Sequence, residues 1–276
     1  MGNVIRTNVP SINAQRNLFG TNIGLSTTFQ RLSSGFRINS AKDDASGLFI
    51  SNQLTSQIGG LSVSMRNAND GISLAQVTEG GLQEVTNILQ RMRDLAVQAA
   101  SGQTADNGPE KGALNAEYQE LAAEINRIAT QTRFGNTNVL NTGATVAIQV
   151  GVNSGEQISV TVPDVTGLNS DSTNAPGDLT TAANAGAVLT NIDTDIITVD
   201  TARGGLGAFQ NRLQSTISNL NSIVENASAS RSRIRDTDFA IETANLSKFQ
   251  VLQQAGLSVL SQANSSSQNV LSLLQN

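Results

Sequence analysis

Apolar positions recur along this chain at two different periods, and the change of period divides it into segments. Near the C-terminus, Leu246, Phe249, Leu252, Gly256 or Leu257, and Leu260 fall at steps of three and four, with Gln, Ser, Asn and Lys between them. That spacing is one face of a helix. The stretch continues to Val270, Leu271, Leu273 and Leu274. At the other end, Val4, Ile5, Val9, Ile12, Leu18, Phe19, Leu25, Phe29, Leu32 and Phe36 predict a second amphipathic helix, between Pro10 near a start and Gly35 near a stop. A compact reading pairs the two terminal helices. A single pair still leaves apolar surface on both. Assembly of many pairs about a common axis would cover it, and so would folding back onto the body of the same molecule.

Between the ends the heptad pattern is longer. Leu54, Ile58, Leu61, Met65, Ala68, Ile72 and Ala75 step 4, 3, 4, 3, 4, 3. After Glu79 and Gly80-Gly81 the seam resumes with Leu82, Val85, Leu89, Met92, Leu95 and Ala99. One helix of roughly 55 residues would be about 80 Å long, which predicts a rod rather than a small globule. Ser101 to Pro109 reads as a turn, and Leu114, Tyr118, Leu121, Ile125 and Ile128 predict a second rod helix running antiparallel to the first. The period then drops to two. Val146, Ile148 and Val150, then Ile158, Val160 and Val162, alternate around Asn153-Ser-Gly155 and predict a β-hairpin. Residues 164–186 are mainly Asp, Asn, Thr, Ser, Gly, Ala and Pro and read as a surface loop. Helical spacing returns with Val188, Ile192, Ile196 and Val199. A seam through Leu213, Ile217, Leu220, Val224 and Ala227 follows, then a charged connector over Ser230 to Asp238. The order of elements is symmetric about the middle, so the expected fold is mainly α. It is a long antiparallel, coiled-coil-like rod with a small β-hairpin region and both terminal helices paired at one end.

Composition removes whole classes of chemistry. With no Cys and no His among 276 residues, there are no disulfides, imidazole bases, usual zinc sites or Ser-His-Asp triads. A net charge of -5 without a long basic run argues against a nucleic-acid surface. Aromatics are only 3%, so large rings do not anchor the core, and Leu, Ile, Val and Ala along narrow helical seams must do it. The N-terminus lacks a Sec signal and a myristoylation motif, and no apolar run is long enough to cross a membrane. Gly204-Gly205-Leu206-Gly207 lacks the preceding strand and the spacing of a phosphate loop, so packing or flexibility is its expected role. Asp43-Asp44 beside Lys42 reads as a solvated capping cluster, and Arg91, Arg93 and Asp94 as a solvated helix face.

Several long stretches resemble bacterial flagellin. They are Leu32-Ser-Ser-Gly-Phe-Arg-Ile-Asn-Ser-Ala-Lys-Asp-Asp-Ala-Ser-Gly-Leu48, Gln90-Arg-Met-Arg-Asp-Leu-Ala-Val-Gln98, Gln149-Val-Gly-Val-Asn153, Leu206-Gly-Ala-Phe-Gln-Asn-Arg-Leu213 and Ala244 through Asn264. The resemblance covers nearly the whole chain in order. It implies a structural, non-enzymatic subunit, without cofactor or metal, of the extracellular flagellar filament. The alternative within the same superfamily is a hook–filament junction adaptor. On that resemblance residues 1–40 and 236–276 are the inner filament core, 41–163 and 187–235 the two parts of the rod, and 164–186 a minimal variable loop. Leu25, Phe29, Leu32, Leu246, Phe249, Leu252, Leu257 and Leu260 become the expected core assembly residues. The implied partners are further copies of the chain, an export chaperone at the C-terminal region, and the filament cap and hook–filament junction proteins. The implied route out of the cell is the flagellar type III channel, without a cleaved signal. Where animal immunity senses the family, the matching receptor surface is Arg91, Leu95 and Glu117, and the matching cytosolic sensor segment is Leu271, Leu273 and Leu274. Neither membrane insertion nor nucleic-acid binding is expected. Phe134-Gly135-Asn136 stands where Phe-Asn-Gly is usual, Phe36 and Phe49 are larger than the pattern, and the missing His excludes the zinc-protease insert of some flagellins.

Overall fold

The computed structural model describes the backbone of residues 7–273 and the side chains of residues 7–266. The expectations on Val4 and Ile5, and on the side chains of Val270, Leu271, Leu273 and Leu274, lie outside the described residues. Five α-helices carry the described chain: α1 Val9–Ser34, α2 Ala45–Ala100, α3 Pro109–Gln131, α4 Ala182–Arg235 and α5 Phe239–Leu273. Two small antiparallel pairs follow α3. They are β1 Arg133–Phe134 with β2 Thr137–Asn138, and β3 Thr145–Gln149 with β4 Gln157–Thr161. The chain divides into two compact units, residues 1–58 with 225–276, and residues 59–224.

Local chemistry sets the helix ends. Asn8 caps α1 by accepting a hydrogen bond from the Ser11 N–H at 3.0 Å, and Pro10 sits in the first turn, where a missing N–H costs nothing. Gly35 closes the helix in the left-handed region at φ 74°, its N–H donating to the Arg31 carbonyl at 2.8 Å. Asp44 opens α2 by accepting from the Gly47 N–H. Asp43 accepts from the N–H groups of Asn39 and Ser40 and from the Ser40 hydroxyl, which hold its carboxyl below its usual range. Asp44 therefore caps α2, and Asp43 closes the turn that precedes it. The helix α4 runs on through Ser230–Arg235, so the expected charged connector shrinks to residues 236–238.

The second unit has a filled core. Leu82, Val85, Leu89, Met92, Leu95 and Ala99 of α2 are all at or below 1% exposed, so the heptad seam is the buried seam. Tyr118 and Ile125 of α3, and Val188, Ile192, Val199, Leu206 and Leu213 of α4, complete it. Cross-links fix the direction of packing. Gln83 of α2 meets Arg203 of α4, and Glu79 meets Gln210. Numbers falling along one helix and rising along the other make the two antiparallel. Strands β3 and β4 pair Val146 with Val160 and Ile148 with Ile158, and their apolar side chains join the same core. The hairpin lies close against α2. A Cβ on Gly71 would come within 3.2 Å of Ile148, and one on Gly60 within 2.6 Å of Val152. The Asn67 side chain donates to the Gln149 carbonyl at 3.2 Å.

Residues 164–186 depart from the expected surface loop. Val165, Leu168, Leu179 and Ala185 are buried in the core of the second unit. Three Asp-x-Thr turns fold the segment: Asp164 with Thr166, Asp171 with Thr173, and Asp178 with Thr180. In each, one carboxylate oxygen accepts from both the backbone N–H and the hydroxyl of the Thr two residues on. Buried Asp195 of α4 accepts from the N–H groups of Asn169 and Ser170 and from the Asn169 side chain. The segment is laced to α3 as well. The fully buried Tyr118 donates its hydroxyl to the Pro176 carbonyl at 2.7 Å, Gln119 donates to the Gly177 carbonyl, and Asn115 accepts from the Leu179 N–H. Burial pushes the Tyr118 phenol up to about 12.

Candidate assembly surface

Helices α1 and α5 of the first unit pack along a single seam. Asn8 donates to the Ala263 carbonyl at 3.0 Å, and Gln253 to the Asn22 side chain at 2.9 Å, so the pair is antiparallel. On α1 the buried and half-buried positions include Ser11, Ala14, Leu18, Thr21, Leu25, Thr28 and Leu32, at alternating steps of three and four. On α5 they include Glu242, Leu246, Phe249, Gln253, Gly256, Leu260 and Ala263, at steps of four and three. Both are heptad seams, with small or polar residues at several core positions. The small residues let the helices approach. The Phe249 ring occupies the notch at Gly24, where an added Cβ would lie 2.6 Å from two ring atoms, and Leu18 covers Gly256. Glu242 is 4% exposed and faces Arg31 at 3.9 Å across the seam.

This seam divides the expected assembly residues. Leu25, Leu32, Leu246, Phe249 and Leu260 lie on it. Phe29, Leu252 and Leu257 do not, being 50%, 44% and 52% exposed. The reason is geometric. Steps of three from Leu246 to Phe249 to Leu252 each fall 60° short of a full turn, so Leu252 has rotated off the line that Gln253 holds. A polar Gln inside the seam hid that register from a reading based on apolar residues alone.

Both helices also leave apolar side chains exposed. On α1, Val9, Ile12, Phe19 and Ile23 are exposed and lie opposite the seam. On α5, Phe239, Ile241, Val251, Leu252, Leu257 and Val259 are exposed. Charge is scarce along both. Within the described side chains, α1 holds Arg16 and Arg31, and α5 holds Glu242 and Lys248. Scattered exposed leucines are ordinary on a protein surface, but two paired helices that leave this many apolar side chains exposed with so little charge are a candidate interaction surface.

The connectors of this unit are pinned together. Phe36 and Asp236 form an antiparallel bridge, and the Thr237 N–H donates to the Gly35 carbonyl at 3.0 Å. The Arg235 guanidinium stacks over the Phe36 ring at 4.2 Å, and the Arg37 side chain donates to the Ile234 carbonyl. Phe36 therefore has a use for its extra size. Phe49 is 71% exposed, and nothing in the structure accounts for a ring there.

On the second unit, Arg91 and Glu117 are exposed and paired at 2.6 Å across α2 and α3. Leu95, grouped with them in the expected receptor surface, is 1% exposed and belongs to the core. Position 95 is part of the heptad seam that begins at Leu82, and that membership decides its burial. Gly204, Gly205 and Gly207 lie within α4 with no preceding strand, and an added Cβ at any of them would meet nothing within 4 Å. Among the described residues no cluster of three or more Asp, Glu, His or Cys could hold a metal ion, and no helix is long and apolar enough to cross a membrane.

Comparison with known proteins decides the family. The bacterial flagellin N-terminal helical region matches residues 5–145, and the bacterial flagellin C-terminal helical region matches residues 189–274. The chain belongs to the bacterial flagellin family. This flagellin is 43% identical over 274 residues to a flagellin of Halalkalibacterium halodurans, covering 99% of this chain and 100% of the relative. It is 36% identical to polar flagellin A of Vibrio parahaemolyticus, covering 98% and 99%. That alignment spans 373 positions against 276 residues here, so this is a short flagellin. The crystal structure of Bacillus cereus flagellin matches with a TM-score of 0.51 at 33% identity, over 56% of this chain and 88% of that one. Flagellins are structural filament subunits rather than enzymes, and nothing in these matches favours a junction adaptor.

Proposed function

We propose that the exposed apolar faces of α1 and α5 are the surfaces through which this flagellin polymerises. In the filament the terminal pair lines an inner tube. The observation that carries this reading is the contrast between the two units. The second buries its heptads within the chain, whereas the first leaves Ile12, Phe19, Ile23, Ile241, Val251 and Leu257 exposed. Extracellular filament assembly follows from the family. The assignment of these side chains to it is tested by limited proteolysis of free and polymerised chain. Cleavage within α1 and α5 of the free chain, with protection of both in the polymer, is expected. Equal cleavage in both states would overturn the assignment.

The remaining partners belong to the same proposal. The apolar side chains that α5 leaves exposed are an aggregation hazard before assembly, which suits a chaperone held on the C-terminal region until the chain leaves through the type III channel. Cap and hook–filament junction proteins would meet the same terminal faces at the two ends of the polymer. An immune receptor reading the second unit would contact Arg91 and Glu117.

A further inference from the structure

A shallow groove runs along one side of the α1–α5 pair, and it has the shape of a socket. Small residues Ala14, Thr21, Ala255 and Gly256 line it together with Leu252 and Val259. No charged side chain lines it. A glycine stands at 256 for a reason visible in the seam, because a Cβ there would already meet Leu18 at 3.2 Å. On a different face of α1, opposite the seam, Ile12, Phe19 and Ile23 stand 47%, 69% and 53% exposed. They form a row of knobs at steps of seven and four. We propose that Phe19 and Ile23 of one subunit seat in the α1–α5 groove of the next copy of this chain. The inference rests on the filament reading and names the two surfaces that meet.

Three features favour a second copy as the occupant. The groove has no charge with which to recognise an acidic or basic peptide, so shape and apolar area must select the guest. Knobs and socket lie at the same level along α1, residues 12–23 against 14–21. A neighbour displaced sideways with little axial offset therefore aligns them. The two surfaces also lie on different faces, so the contact is heterologous. Each added copy leaves one free groove and one free row of knobs, which propagates an open polymer instead of closing a dimer. Arg16, at the edge of the knob row, has a stem long enough to keep its guanidinium at the wet rim of such a contact.

The absence of cysteine in this chain makes the test clean. Phe19→Cys and Ala255→Cys chains are mixed, copolymerised with wild-type chain on wild-type seeds, and oxidised. Disulfide-linked dimers that appear only in the polymer, and only when both variants are present, are expected. Normal filaments without that cross-link would overturn the pairing while leaving the filament reading intact, whereas failure of wild-type chain to polymerise would overturn the filament reading itself. A second variant guards against poor incorporation. Phe19→Ser should raise the critical concentration for polymerisation at least tenfold while the melting of the second unit is unchanged. An unchanged critical concentration would overturn the proposal. So would loss of binding to anionic lipid vesicles in this variant with no change in polymerisation, because the knobs would then be a membrane contact.

Discussion

Replacing Leu257 with Asp separates the surface a subunit needs for itself from the surface it offers to others. Leu257 is 52% exposed and lies beside the α1–α5 seam, not in it. About half of its side chain remains to be covered in a polymer. Full burial of a Leu is worth about 1.5–3 kcal/mol, so the hydrophobic loss alone is about 1 kcal/mol per subunit. The carboxylate adds a larger penalty. An unpaired charge moved into an apolar contact costs several kcal/mol, or forces the group to bind a proton. The surrounding helices offer little cationic compensation, since the described side chains of α1 and α5 hold only Arg16, Arg31 and Lys248, and Arg31 already faces Glu242. A combined loss of about 3–4 kcal/mol raises the critical concentration by about two to three decades. Sedimentation of seeded samples over a concentration series measures it. Thermal melting of the same variant should stay within about 0.5 kcal/mol of wild type, as for a surface change away from the core. Leu257→Asn should recover most of the polymer, because it removes the charge at nearly equal volume. Leu257→Asp filaments at the wild-type critical concentration would refute the argument that this face is buried between subunits.

Other substitutions probe the packing within the chain. Gly24→Ala forces a Cβ into the Phe249 ring and should cost about 1–3 kcal/mol, read as earlier proteolysis of α1 in the free chain. Tyr118→Phe leaves the Pro176 carbonyl without its donor and should destabilise the second unit by about 1–3 kcal/mol in urea unfolding at neutral pH. The same residue sets an alkaline limit. Burial pushes the folded phenol up from the ordinary 10.0 to about 12, so its contribution is fully present below pH 10 and is lost as pH rises towards 12. The loss runs at about 1.4 kcal/mol per pH unit, and the slope should vanish in Tyr118→Phe. Deleting 167–180 removes Leu168 and Leu179 from the core and the cover from Tyr118, so the melting temperature of the second unit should fall sharply. A deletion variant that melts like wild type would show that the segment contributes nothing to the core.

Much of this fold can be read from spacing alone, because the burial partners are regular helices. The run from Leu82 to Ala99 predicts a seam, and every one of its six members is buried. Alternation at 146–150 and 158–162 predicts a hairpin, and Gly35 predicts a helix stop. The places where reading falls short have polar chemistry in common. The seam of α5 passes through Gln253 and Gly256, so a search for leucines drifts onto Leu252 and Leu257. Residues 164–186 look like loop because few of them are apolar. Yet the seven-residue repeat of Asp-x-Thr at 164, 171 and 178 was a visible signal that the backbone there satisfies itself locally and can pack. Leu95 shows the opposite error, since a motif match placed on the surface a residue that its own heptad position buries. The exposed apolar surface of the terminal pair is legible only as an excess. Sequence shows more apolar positions on the terminal helices than one pair can cover, and the structure shows which ones are left over.

The most direct test of the central claim is electron microscopy of purified chain after seeding, set beside protease mapping of the unseeded chain. The account predicts long uniform filaments from seeded samples, with α1 and α5 open to protease before assembly and closed afterwards. A chain that stays monomeric on seeds, with both terminal helices already protected, would contradict it.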